Sequence, residues 1–165
     1  MTNDYKNGVR RHIQDTLTHK HFFIQSALKM IEYLYAQDRY EDALELAKRC
    51  SMHDHSKLEM DEVEMFIQMP IEEHHDKKPN GRLTEEQRAL IEMHWKRNRH
   101  HPEFFSDYHK MSEIDILEMV CDWYARSLQF ETDFMQFVHD IPQDRFEFDD
   151  EFFARVYQYC LILND

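Results

Sequence analysis

The residues best equipped for chemistry in this chain form one short stretch, His53-Asp54-His55-Ser56-Lys57. An imidazole beside a carboxylate offers a divalent cation one nitrogen and one oxygen donor, both deprotonated near neutral pH. Lys57, three residues beyond Asp54, supplies the positive charge that a phosphate beside such a cation would need. Ser56 followed by Glu59 has the form of a capping box. The stretch is therefore expected where one helix breaks and the next begins, a place where backbone N–H groups favour anions. One His next to one acid carries little weight among 12 His and 33 acidic residues; partners elsewhere in the chain decide the matter.

Several residues could join the pair. His19 lies in the middle of a long helical pattern, with His21 as a competitor two residues on that must face another way. His94 lies near the end of a later helix, and His100 and His101 follow it, interchangeable at this level. Seven residues separate His94 from His101, which would put them on one face if the helix continued. Asp122 sits in the apolar run Met119-Val120-Cys121-Asp122-Trp123, where an ionised carboxylate is costly to bury without a partner. Its plain alternative is the polar side of an amphipathic helix, shared with Glu118 and Arg126.

Helical periodicity supplies the elements that must position these groups. Apolar residues recur at helical separations over Tyr5–Ala36, Tyr40–Met52 and Lys57–Gln68, the last halted by Pro70. Thr84 and Gln87 form a second capping box, opening a helix that Pro102 should end near Arg99. Ser112 and Asp115 start a strongly apolar helix, and shorter helices are expected at Glu131–His139 and Asp149–Leu163, separated by Pro142. The polar stretch from residue 70 to 83, with its Asn80-Gly81 turn, reads as a flap over a site. The fold class expected is an all-α, single-domain bundle of six or seven helices covering residues 1–165, with the C-terminal helices of 131–163 packed on the rest.

Composition narrows the function further. With 42% hydrophobic and 32% charged residues the chain is globular, and 2 Gly and 4 Pro among 165 residues speak against a turn-rich β fold. A net charge of −13 works against long nucleic acid, which needs a basic surface; it does not exclude a small anionic substrate, since a bound cation reverses the local field. No apolar run approaches the length of a membrane span, and the charged N-terminus lacks the apolar core of a secretory signal. Cys50, Cys121 and Cys160, odd in number and scattered, suit a reducing compartment, so the cytoplasm is expected. Homo-oligomerisation stays open.

The order His19…His53-Asp54…Asp122, on separate helices of an all-α chain, resembles the HD-domain superfamily of metal-dependent phosphohydrolases. The resemblance is closer to a small, uncharacterised HD-like family of single-domain proteins. It is carried by His19-Lys20 followed by aromatics, His53-Asp54-His55-Ser56-Lys57, His94 through Asn98 to His100-His101, and Glu118-Met119-Val120-Cys121-Asp122-Trp123, a motif core spanning residues 19–123. It implies that His19, His53, Asp54 and Asp122 hold one divalent metal and that His94 with His100 or His101 help to hold a second. His101 is preferred as the ligand, which leaves His100 toward the substrate.

The chemistry expected is hydrolysis of a nucleotide or similar small phosphate ester. A metal-activated water would be the nucleophile, Asp54 the bridge between cations, and Lys57, Arg97 and Arg99 the charges on the phosphoryl group, with Asn98 orienting water or substrate. Mixed His and carboxylate ligation admits Mn, Fe, Co, Ni or Zn. The alternative is a metal-bearing module that captures a nucleotide or signalling molecule without turning it over.

Overall fold

A computed structural model describes residues 3–67, 84–141 and 145–165 of the chain. Among them are seven α-helices and no strand: α1 (Asn3–Ala36), α2 (Tyr40–Met52), α3 (Met60–Phe66), α4 (Glu85–Arg97), α5 (Glu113–Phe130), α6 (Phe134–Ile141) and α7 (Asp150–Asn164). Short 3-10 turns lie at His55–Leu58, Pro102–Phe104 and Tyr108–Lys110. This is the all-α bundle expected from the sequence. The expected flap at 70–83 lies outside the described residues.

Two helices organise the rest. α5 is buried continuously from Ile114 to Trp123, as befits a central helix covered on all sides. It packs on α1, α2, α6 and α7. Its start is the box that the sequence announced: Ser112 Oγ accepts from Asp115 N–H, and the Asp115 carboxylate accepts from Ser112 N–H. α1 turns inward at His12, Thr16, His19, Phe23, Ala27, Met30 and Leu34, the three-and-four spacing of a single helix face. It stops where Asp38 takes a left-handed backbone (φ 59°) and the Arg39 N–H reaches Leu34 O at 2.9 Å.

One core runs from Phe23, Met30 and Leu34 through Leu117, Val120 and Cys121 to Val138, Phe152, Val156 and Leu163; a small satellite joins Met65 and Phe66 to Ile91 and Met93. The three cysteines are free, with Cys121 and Cys160 buried and Cys50 part-buried. No described helix is long and apolar enough to cross a membrane.

Three boundaries differ from expectation, the first being α6, which runs Phe134–Ile141 rather than Glu131–His139 because Glu131 takes the left-handed backbone (φ 53°) that closes α5. The third helix is Met60–Phe66 rather than 57–68, because the backbone is extended at Glu59 (φ −80°, ψ 147°) and a 3-10 turn precedes it. Ser56 therefore lies inside that turn and caps nothing. α4 ends at Arg97, two residues early, and His101 is extended (φ −94°, ψ 129°) as its position before Pro102 requires. α4 does begin directly after Thr84; the side chain of its expected capping partner, Gln87, lies outside the described residues.

Candidate metal centre

The His-Asp pair sits at a corner of the backbone. His53 still donates its N–H to Arg49 O at 2.8 Å, as the last turn of α2. Asp54 then takes a left-handed conformation (φ 52°, ψ 24°), which Asp and Asn enter more readily than other L residues. The 3-10 turn that follows folds Lys57 back, so that its Nζ lies 2.5 Å from Asp54 Oδ2. All three side chains are buried.

Around this corner two groups of donors meet. In the first, His19 Nε2 lies 2.8 Å from Asp122 Oδ1, 3.3 Å from His53 Nε2 and 3.5 Å from Asp54 Oδ2. His53 Nε2 lies 3.4 Å from Asp122 Oδ1 and 3.9 Å from Asp54 Oδ2. Four donors placed tetrahedrally at about 2.0–2.1 Å from one cation stand about 3.3 Å from one another, so these spacings are those of a ligand cage. In the second group Asp54 Oδ1 lies 3.4 Å from His94 Nε2 and 3.5 Å from His100 Nε2, and His101 Nε2 lies 3.3 Å from His94 Nε2. Within each group the donor atoms all lie within 4.8 Å of one another. Asp54 belongs to both and faces each with a different oxygen.

A ring of carboxylates orients the imidazoles from behind. Glu118 Oε1 faces Nδ1 of His53 at 3.1 Å and Nδ1 of His100 at 3.4 Å, while its Oε2 accepts from Arg49. Arg49 also binds Asp115, which in turn holds Arg99. Glu62, fully buried, takes His94 Nδ1 at 2.9 Å. A carboxylate on Nδ1 fixes the tautomer that leaves Nε2 free as a ligand. Phe23 stacks flat on the His53 ring, 3.5 Å between centroids at 6°, and Lys20 Nζ donates to the His53 carbonyl at 2.7 Å. His12 donates to the Lys57 carbonyl at 2.6 Å.

The electrostatics fit a cation. Burial, helped by the charge of Arg126, lowers His19 to about 3 despite Asp122, so it stays neutral. Against the cost of burial, Asp54 above all, with Asp122 and Glu118, pushes His53 up to about 9. Burial would raise Asp54, but Lys57 and His53 hold it well below the usual carboxylate range. Burial likewise opposes ionisation of Asp122, and His19 and His53 overcome it. Burial and the neighbouring imidazoles push His101 well down. Carboxylates thus remain ionised in a dry interior; without a cation Lys57 and a protonated His53 balance them, and a metal at His53 Nε2 would take the place of that proton. Asp54 Oδ1, His100 Nε2 and Asp122 Oδ1 are buried with no aligned hydrogen-bond partner, and each belongs to a cluster. Buried polar atoms seldom remain unmatched. A cation in the second group would meet Asp54 Oδ1 and His100 Nε2, and one in the first would meet Asp122 Oδ1, so the residues present fit a metal.

The sequence expectations divide cleanly. His19, His53, Asp54 and Asp122 come together, and Lys57 joins them. His21 is exposed and bonds Gln25, which decides between it and His19. His94 and His101 do meet, although α4 has ended; the turn in which His101 N–H bonds Asn98 O (3.1 Å) brings the ring back. His100, expected toward the substrate, instead lies inside the cluster beside His101. Arg97 and Arg99, expected on the phosphoryl group, are engaged elsewhere. Arg97 binds Asp61 at 2.5 Å and Glu62 at 3.4 Å, and Arg99 binds Asp115 through two nitrogens over the rings of Phe104 and Phe105. Asn98 ties the end of α4 to the 3-10 turn by donating to Ser56 Oγ at 2.9 Å and His94 O at 2.9 Å.

Glu62 and Glu118 were not singled out from the sequence as supports for the histidines. The signal available was an acid in an apolar setting: Glu118 lies between Leu117 and Met119, four residues before Asp122 on the same helix face.

The fold and cluster together define an all-α protein whose buried His and carboxylate groups can hold a metal ion. Its residues 8–160 match the Family of unknown function (DUF5662), and the chain belongs to that family. No curated protein and no solved structure matches it.

Proposed function

We propose that this protein is a metal-dependent phosphohydrolase of HD type, acting on a nucleotide or similar small phosphate ester, in which Asp54 would offer one oxygen to each of two divalent cations. The observation that carries the reading is the division of labour at Asp54, whose Oδ2 faces His19 and His53 while Oδ1 faces His94 and His100. Support for HD-type ligation comes from the meeting of His19, His53, Asp54 and Asp122, drawn from two helices and the corner after α2. Cations held there would acidify a bound water and polarise a phosphoryl oxygen.

The protein's own residues do the rest. Glu118 and Glu62 hold three imidazoles in the tautomer that presents Nε2. Phe23 fixes the plane of His53. Lys57, buried and paired to Asp54, keeps a positive charge at the edge of the cluster, where a phosphoryl group carries its negative charge. With Arg97 and Arg99 committed to carboxylates, Lys57 is the predicted phosphate-facing residue that stands at the cluster. The donor set of imidazoles and carboxylates suits Mn, Fe, Co, Ni or Zn.

The test is release of phosphate from a panel of mono-, di- and cyclic nucleotides with added Mn or Co, comparing native protein with Asp54→Asn. Metal-dependent turnover of at least one substrate, lost in the variant, is expected. No turnover on any substrate, with a nucleotide bound and recovered intact, would replace hydrolysis by capture at the same site.

A further inference from the structure

The outer face of the α1–α2 hairpin carries most of the exposed large hydrophobic side chains among the described residues. Among the described residues, thirteen large hydrophobic side chains are exposed, and nine of them lie on α1 and α2. On α1 they include Ile13, Leu17, Ile24, Leu28 and Tyr35, with Leu17 at 55% and Leu28 at 53% exposure. Their separations alternate four, seven, four, seven. At about 100° per residue these positions fall within a sector of about 60°, a straight stripe about 33 Å long. On α2, Tyr40, Leu44 and Ala47 are exposed at separations of four and three, again one helix side. Tyr35 and Tyr40 touch, with ring centroids 5.7 Å apart, so the two stripes join at the hairpin's turn. A chain with a net charge of −13 and a mean hydropathy of −0.79 has no solubility reason to display such a face, and a contiguous apolar patch marks an interaction surface.

We infer that this face is a homodimer interface, in which α1 of one copy lies antiparallel to α1 of another about a two-fold axis at Ile24. The spacing carries that choice. A closed two-fold interface must be complementary to itself, and inversion of α1 about residue 24 sets Ile13 against Tyr35, Leu17 against Ile31 and Ile24 against its own copy. Leu28 meets Lys20, whose aliphatic stem covers apolar surface.

The charges agree. The exposed cations of the stripe's beginning are Lys6 and Arg10, and the acids at its far end are Glu32, Asp38 and Glu41. Inversion sets Arg10 against Asp38 and brings Lys6 toward the start of α2. A parallel pairing would stack cation on cation and acid on acid. The acids at the far end and the net charge of −13 also disfavour an anionic membrane as the occupant.

Sedimentation equilibrium of the native chain at about 100 µM should give twice the 20.4 kDa of one chain. Leu17→Glu with Leu28→Glu should sediment as a monomer with unchanged helicity and unchanged metal content, whereas Leu161→Glu, exposed on α7, should remain a dimer. Under mild oxidant Ile24→Cys should yield a covalent dimer on a non-reducing gel, and the native chain, whose own cysteines are buried or part-buried, should not. A native chain that sediments as one copy overturns the inference. So does a double glutamate variant that stays dimeric, and a failure of Ile24→Cys to cross-link overturns the antiparallel register.

Discussion

The two halves of α1 and two faces of α5 solve the burial problem in opposite ways. The first part of α1 turns His12, Thr16 and His19 inward, and the later part turns Phe23, Ala27, Met30 and Leu34. α5 buries Leu117, Val120, Cys121 and Ala125 against the apolar core, while Glu118 and Asp122 on the same helix face the His cluster. The apolar end is held by area removed from water, and its stability needs nothing from outside. At the other end, ionised groups lie in a dry interior, where each costs free energy unless matched. One end stores stability; the other stores binding energy for a cation.

Perturbations aimed at each end should therefore give opposite signatures. The largest is Phe152→Ala in the apolar end, where Phe152 is buried against Tyr108 and Phe148. It should cost about 3–5 kcal/mol in denaturant melts and leave bound metal per folded chain unchanged by elemental analysis. Chelation touches only the polar end. Removing a cation held at about a hundred times its dissociation constant withdraws about 2.7 kcal/mol, read as a fall in melting temperature that re-added metal reverses. A melting temperature indifferent to chelator would mean that Lys57 and His53 balance the carboxylates unaided.

Smaller still is Glu118→Gln, which keeps the size of the side chain and removes the charge behind His53 and His100. Metal affinity should fall about 10–100-fold in calorimetric titration, and the metal-free protein should also melt somewhat lower, because Arg49 and His53 lose a buried anionic partner while Arg49 keeps Asp115. The smallest effect lies at the start of α5. The Tyr159 hydroxyl donates to Glu113 and accepts from Arg39, and burial together with Glu113 raises its pKa to about 12. A tyrosine pKa above its unfolded value of about 10 means stability that is complete below that pH and lost as pH rises through about 12. Tyr159→Phe should remove about 1 kcal/mol below pH 10, and the gap between variant and native should close in alkaline melts.

Much of this was legible in the sequence. α1 and α2 announce themselves by spacing, and Ser112 with Asp115 marks the start of α5 because caps are local chemistry. His19, His53, Asp54 and Asp122 could be assembled because their order and helical setting form a pattern. What stayed hidden depends on contacts across long separations. Glu118 meets a histidine 65 residues away and Glu62 one 32 residues away, and periodicity carries no such pairing. Arg97 and Arg99 looked available because a run of basic residues does not show which acids will fold against it. The 3-10 turn after Asp54 was missed for a related reason: the left-handed backbone there has no glycine to advertise it.

That corner has one more implication. The residue that bends the chain away from α2 is also the residue whose two oxygens look toward both ligand sets, so hinge and bridge cannot be altered separately by most substitutions. Glycine would relax the bend but discard the carboxylate, and alanine would lose the donor and strain the backbone as well. Asparagine alone tolerates the same twist while giving up the negative charge, and it is therefore the one replacement at position 54 that tells architecture apart from ligation.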